Sequence, residues 1–117
     1  MIRKTALAVM LVSISPLALA HAHLTASSPA NDAVLSKAPE SLQVTFTEGV
    51  ETALSQLEIS SDNGMETTLA RLTPVEGKAN TYKVALPQLK PGHYHLDMKV
   101  TSVDTHRVTN TLDFSVR

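Results

Sequence analysis

From residue 41 onward the chain alternates apolar and polar positions in short runs. Leu42, Val44 and Phe46 alternate with Gln43, Thr45 and Thr47, and Leu57 and Ile59 with Glu58 and Ser60. Tyr82, Val84 and Leu86 form another set. Tyr94, Leu96, Met98 and Val100 form the longest, and Leu112, Phe114 and Val116 the last. A period of two puts every second side chain on one face, as in a strand with one buried side. Turn-forming residues separate the runs: Pro29-Ala30-Asn31-Asp32, Ala38-Pro39, Asp62-Asn63-Gly64, Glu76-Gly77-Lys78 and Lys90-Pro91-Gly92. The pattern predicts strands near residues 23–28, 41–47, 54–60, 66–72, 80–86, 93–101 and 108–116. About seven short strands, with no capped stretch of helical period, predict an all-β antiparallel sandwich with Greek-key connections.

The first twenty residues read differently. Arg3 and Lys4 precede an apolar stretch from Ala6 to Ile14, Pro16 ends it, and Ala18-Leu19-Ala20 fits the small-x-small cleavage rule. The stretch is too short to cross a bilayer core of about 30 Å as a helix. Residues 1–20 are therefore expected to be a cleaved secretory signal, leaving residues 21–117 as one domain that opens on His21-Ala22-His23. The chain has no cysteine, so despite export to an oxidising compartment the core must stand on burial alone. Loss of Arg3 and Lys4 takes the ten basic residues to eight, against eleven acidic ones. A mildly acidic surface argues against nucleic acid, which calls for a basic footprint. No second apolar segment is long enough to span a membrane.

Histidine is the metal-ligating residue present in quantity: His21, His23, His93, His95 and His106. His21 is the strongest candidate. After cleavage it would carry a free α-amine, with a reference pKa of about 7.7–8.0, beside an imidazole near ~6.5. The two nitrogens of one residue can close a chelate ring, and tetragonal nitrogen and oxygen donors favour Cu(II). The alternative is an inert, frayed terminus. His23 opens a second mode. A terminal amine with histidine at the third position can bind Cu(II) through the amine, two deprotonated amides and that imidazole. If His23 begins a strand, its backbone is committed to the ladder and this mode is suppressed. A polar residue on the outer face is the favoured reading of His23.

Asp104 and His106 lie two apart at a polar junction between two apolar strands. In extended chain they would share a side, with Cα atoms ~6.6 Å apart, close enough for carboxylate and imidazole to converge on one ion. The alternative is an ordinary turn with a solvated charge pair. His93, His95 and Asp97 alternate with core-like Tyr94, Leu96 and Met98, so they belong on the opposite, solvated face. Surface polarity is favoured there over a second metal site.

Together these motifs resemble the CopC-type copper-resistance proteins, closest to their short stand-alone members. The resemblance lies in His21-Ala22-His23-Leu24, Ser28-Pro29-Ala30, Phe46-Thr47-Glu48, Leu89-Lys90-Pro91-Gly92-His93-Tyr94, Ser102-Val103-Asp104-Thr105-His106 and Phe114-Ser115-Val116. It implies an immunoglobulin-like β-sandwich or barrel in the periplasm, holding one Cu(II) per chain. It implies ligation by the His21 amine and imidazole, Asp104 and His106, with Glu48 just outside the ligand set. It also implies a CopD-type inner-membrane copper importer as partner, and this chain is expected to act as a monomer. There are departures. Many members carry Gly where this chain has Thr105, and glycine tolerates the φ > 0 that threonine resists. A Trp common in the family is replaced by Met98. Some members have a methionine-rich Cu(I) loop. Beyond the leader this chain has only Met65 and Met98, so a thioether-rich site is not expected.

Three classes of function remain to be separated. The first is a non-enzymatic copper carrier or buffer. The second is an oxidative enzyme with a copper brace, built from an N-terminal histidine and a second histidine. It would need an open coordination position and a substrate face that is often aromatic, yet aromatic residues are 3% of the chain. The third is an immunoglobulin-like interaction module with incidental histidines.

Overall fold

The computed structural model describes residues 22–117; the expected leader and His21 lie outside the described residues. Among the described residues nine strands follow in chain order: β1 (Leu24–Ser28), β2 (Ala33–Leu35), β3 (Ser41–Phe46), β4 (Gln56–Ser61), β5 (Glu66–Thr68), β6 (Thr73–Pro74), β7 (Thr81–Ala85), β8 (Gly92–Thr101) and β9 (Arg107–Val116). A single 3-10 turn, Thr52–Leu54, precedes β4. The strands form two sheets, β1-β3-β7-β6 and β2-β9-β8-β4-β5. All pairs are antiparallel except β2 with β9.

The alternation in the sequence becomes the core between the sheets. Leu42, Val44 and Phe46 face Leu57, Ile59, Leu96, Met98, Leu112 and Phe114 across the sandwich, and all are buried. Each such aliphatic or aromatic side chain contributes roughly 1.5–3 kcal/mol on burial. Two aromatic pairs set the layers: Tyr94 stacks on Phe114 with centroids 5.5 Å apart, and Phe46 meets Tyr82 at 6.1 Å.

Two segments depart from the expected strands. The predicted strand 66–72 is a strand only over Glu66–Thr68, followed by one more bond to β4 from Leu69 N to Leu57 O at 2.8 Å. Beyond it Leu69 and Leu72, three apart, both turn into the core as the chain crosses to the other sheet. There Thr73–Pro74 pairs with β7, and proline, lacking an N–H, cannot extend that ladder far. β2 has no counterpart in the predicted pattern. It has three residues, and its partner β9 holds it from outside: Asp32 N donates to Asp113 O at 2.7 Å, and Asp113 N donates to Asn31 Oδ1 at 2.9 Å.

Tyr82 ties the core to one end of the sandwich. Its ring is buried and its hydroxyl accepts a hydrogen bond from Val50 N at 2.8 Å. Val50 in turn bridges to Ser102 at the end of β8. Tyr82→Phe would leave the Val50 amide buried without this acceptor, at a cost of about 1–3 kcal/mol. Urea unfolding is expected to show a lower midpoint at unchanged slope; an unchanged midpoint would mean that water replaces the hydroxyl.

Candidate metal centre

β8 and β9 are joined by a hairpin turn from Ser102 to His106. Ser102 N donates to His106 O and Thr105 N donates to Ser102 O, both at 2.8 Å. Thr105 has φ +71°. A three-residue hairpin loop of this kind needs its last residue left-handed, which is where glycine serves best. The turn demands the conformation and the sequence supplies a β-branched residue for it. Asp104 and His106 therefore meet through a folded turn rather than an extended strand. His106 Nδ1 lies 3.3 Å from Asp104 Oδ1, with both side chains partly exposed.

Ser102 organises this turn from beneath. It is fully buried. Its hydroxyl accepts from His106 N at 3.2 Å and donates to Asp104 Oδ1. The Ser102 hydroxyl, followed by His106, holds the Asp104 carboxyl below the usual carboxylate range. Its oxygens are thus ionised wherever an imidazole is neutral.

The first described residues reach the same end of the molecule. His23 N donates to Thr47 Oγ1 at 3.0 Å, and Thr47 N donates to His23 O at 2.8 Å. Asn110 of β9 donates to Ala22 O and accepts from Leu24 N, both at 3.0 Å. From Thr47 the chain passes Glu48 to Gly49, whose carbonyl accepts from Val103 N at 3.0 Å. A Cβ on Gly49 would stand 3.0 Å from Val103 Cγ1, so a side chain here would press on the exposed Val103. Among the described residues, Glu48 Oε1 is buried with no hydrogen-bond partner. One end of the sandwich thus gathers the start of the described chain, an unsatisfied carboxylate oxygen and the Asp104–His106 pair. Glu48, Asp104 and His106 are the residues expected here from the sequence; Ser102, Thr47 and Asn110, which hold them and the start of the described chain, are not among those expected.

His93 and His95 lie elsewhere, on the outer face of β8 as expected. They sit eight and six residues before Thr101, roughly 20–26 Å up the strand from the turn. His95 Nδ1 lies 2.9 Å from Asp113 Oδ1 and its Nε2 3.1 Å from Asp97 Oδ1. His93 Nε2 is 3.3 Å from the same Asp113 oxygen. Among the described residues no group of three or more His, Cys, Asp or Glu is arranged to hold a metal ion. The surface cluster is thus a hydrogen-bonded one. Asp104 and His106 alone make an incomplete ligand set.

The CopC domain family profile matches residues 24–117, so the chain belongs to the CopC family. Protein YobA of Escherichia coli (strain K12) is 36% identical over 115 residues, covering 96% of this chain and 92% of YobA. Copper resistance protein C of Xanthomonas campestris pv. juglandis is 36% identical over 107 residues, covering 86% of this chain and 83% of that protein. The crystal structure of CopC from Methylosinus trichosporium OB3b superposes with a TM-score of 0.71 at 26% identity, covering 82% of this chain and 93% of that one.

Two expectations follow from this geometry. Thr105→Gly removes a left-handed threonine, which costs roughly 1–2 kcal/mol, and returns part of that as unfolded-state freedom. The variant should be more stable by about 0.5–1 kcal/mol in urea unfolding. A loss would mean that the hydrogen bond from Thr105 Oγ1 to Asp104 O outweighs the strain. The second concerns His95, whose pKa is raised, first by its hydrogen bond to Asp113 and then by Asp97. A folded pKa above the unfolded value gives stability that is full below the unfolded pKa, near ~6.5, and is lost as pH rises through the folded one. Asp113→Asn should lower the His95 titration midpoint seen by NMR, and its stability deficit should shrink as pH rises. A midpoint that stays put would remove Asp113 as the cause.

Proposed function

We propose that the mature protein begins at His21 and holds one Cu(II) through the His21 amine and imidazole, Asp104 and His106. The observation that carries this reading is the convergence of the first described residues, Glu48 and the 102–106 turn at one end of the sandwich. Two protein donors are in contact there, and the orphaned Glu48 oxygen belongs to the residue before Gly49, whose carbonyl accepts from Val103 N in the same turn. The donor set suits Cu(II), a borderline ion content with nitrogen and oxygen. Asp104 supplies a carboxylate that is already ionised, and the Ser102 hydrogen bond aims it. Glu48 would stand just outside the ligands, able to accept a proton or hydrogen bond from them.

On this reading the protein is a periplasmic copper buffer, used in resistance or in delivery to a CopD-type inner-membrane importer. Its relatives' name, copper resistance protein C, and the family resemblance support that placement. It acts as a carrier rather than an enzyme. A carboxylate ligand occupies a position that oxygen activation needs, and Tyr82 and Tyr94 are both buried instead of forming a flat substrate face.

The test is Cu(II) competition against a chelator of known affinity, with a protein that starts at His21. A glycine placed ahead of His21 moves the amine away from the imidazole and should weaken binding by at least tenfold, about 1.4 kcal/mol. His106→Ala should do likewise, whereas His93→Ala and His95→Ala should leave affinity unchanged. Equal losses from all three histidine variants would point to a diffuse histidine surface and sink the proposed site.

A further inference from the structure

The His21-Ala22-His23 start could offer Cu(II) two incompatible sites. One is the amine–imidazole chelate of His21 with Asp104 and His106. The other wraps the ion in the terminal amine, the Ala22 and His23 amide nitrogens and the His23 imidazole, releasing two amide protons to water. A wrapped site needs the backbone of residues 21–23 free to fold into one plane around the metal.

In this chain that backbone is held on both sides of His23. The His23 amide proton is donated to Thr47 Oγ1 at 3.0 Å, and the His23 carbonyl accepts from Thr47 N at 2.8 Å. The Asn110 amide acts as a one-residue strand: it donates to Ala22 O and accepts from Leu24 N, both at 3.0 Å. Ala22 itself is fully buried. Four successive backbone groups, Ala22 O, His23 N, His23 O and Leu24 N, are thus engaged by two side chains and one amide from β9 and the end of β3. The wrapped site would have to strip the His23 amide of the proton it shares with Thr47. It would also have to lift Ala22 out of the core, breaking the Asn110 pair.

We propose that Asn110 and Thr47 are positioning residues that select the coordination mode, closing the amide-wrapped site at His23 and leaving His21 to the metal. The selection needs no contact with the ion. It acts through hydrogen bonds that the wrapped site cannot keep. The inference rests on His21 being the first residue of the mature chain, but not on Asp104 and His106 being ligands.

The test uses protein beginning at His21, confirmed by mass, with Cu(II) and separately Ni(II) as probes at neutral pH. Ni(II) bound to deprotonated amides becomes square-planar and diamagnetic, with a visible band that imidazole and carboxylate ligation does not give. The wild type should show no such band. Thr47→Val, close in shape but without the acceptor, and Asn110→Ala should each raise it. The double variant should bind Ni(II) on the order of tenfold more tightly. His23→Ala in the double variant should abolish the band, and Thr47→Ser, which keeps the hydroxyl, should behave as wild type. Far-UV circular dichroism establishes that each variant is folded, and the isosteric Thr47→Val keeps the test alive if Asn110→Ala is not. A wild type that already shows the amide band, or a folded double variant that never gains it, overturns the inference. Failure of the proposed copper site appears separately, as wild-type Cu(II) affinity indifferent to His106→Ala with the Ni(II) results unchanged.

Discussion

The antiparallel ladder between β8 and β9 runs without a break from Gly92 opposite Val116 to Thr101 opposite Arg107. Its register determines the rest. One face presents Tyr94, Leu96, Met98 and Val100 beside Leu112, Phe114 and Val116, which together line one wall of the core. The other presents His93, His95 and Asp97 beside Asp113 and Ser115. A slip of one residue would exchange the two faces, burying the histidines and exposing the core. The same register fixes the length of the turn: with Thr101 opposite Arg107, Ser102 to His106 has to close tightly, and closing tightly forces Thr105 to positive φ. The strain at Thr105 and the contact between Asp104 and His106 are two results of one hairpin.

That hairpin also decides what can stand next to the turn. β9 carries Asn110 four residues after His106, where its amide can clamp the start of β1. Ser102 receives Val50, which Tyr82 holds from inside the core. The loop between β3 and β4 is thereby trapped between the terminal segment and the turn, with Glu48 in it. Asp104 and His106 are both held by Ser102, which is itself buried and hydrogen-bonded, as site precision requires.

The sequence made the long strands and their inward faces legible because period-two alternation over five or more residues has no competing explanation. It placed His93 and His95 on the outer face correctly for the same reason. It did not reveal β2, whose three residues carry no period and which is anchored by the Asp32 N to Asp113 O backbone bond and by the Asn31 side chain accepting from Asp113 N. It carried the pattern of β5 four residues too far, because Leu69 and Leu72 are buried by a crossover rather than by a strand. Asp104 and His106 could be chosen from their spacing, but the geometry assumed for them was extended, and the structure folds them together instead. Asp113 was findable in principle: a turn centred on Asp104 sets residue 95 opposite residue 113. Asn110 and Thr47 were not, since their partners are backbone groups far away in sequence and only the closed sandwich brings them there.

The placement of sulfur bears on what a site at this end could do with reduced copper. Met98 is fully buried in the middle of β8, and Met65 packs partly buried beside the turn after β4. That turn meets the start of β8, since Asp62 N donates to His93 O at 3.2 Å. Roughly 30 Å of strand separate it from Ser102. Among the described residues, therefore, no thioether can reach an ion held by Asp104 and His106 while the ladder stays intact. Nitrogen and carboxylate donors hold Cu(II) better than Cu(I), which prefers sulfur. On the proposed reading, reduction alone weakens the grip, and no strand has to move for the ion to leave. A rigid sandwich is then no obstacle to transfer: the framework that fixes the ligands also withholds the donors that would keep Cu(I).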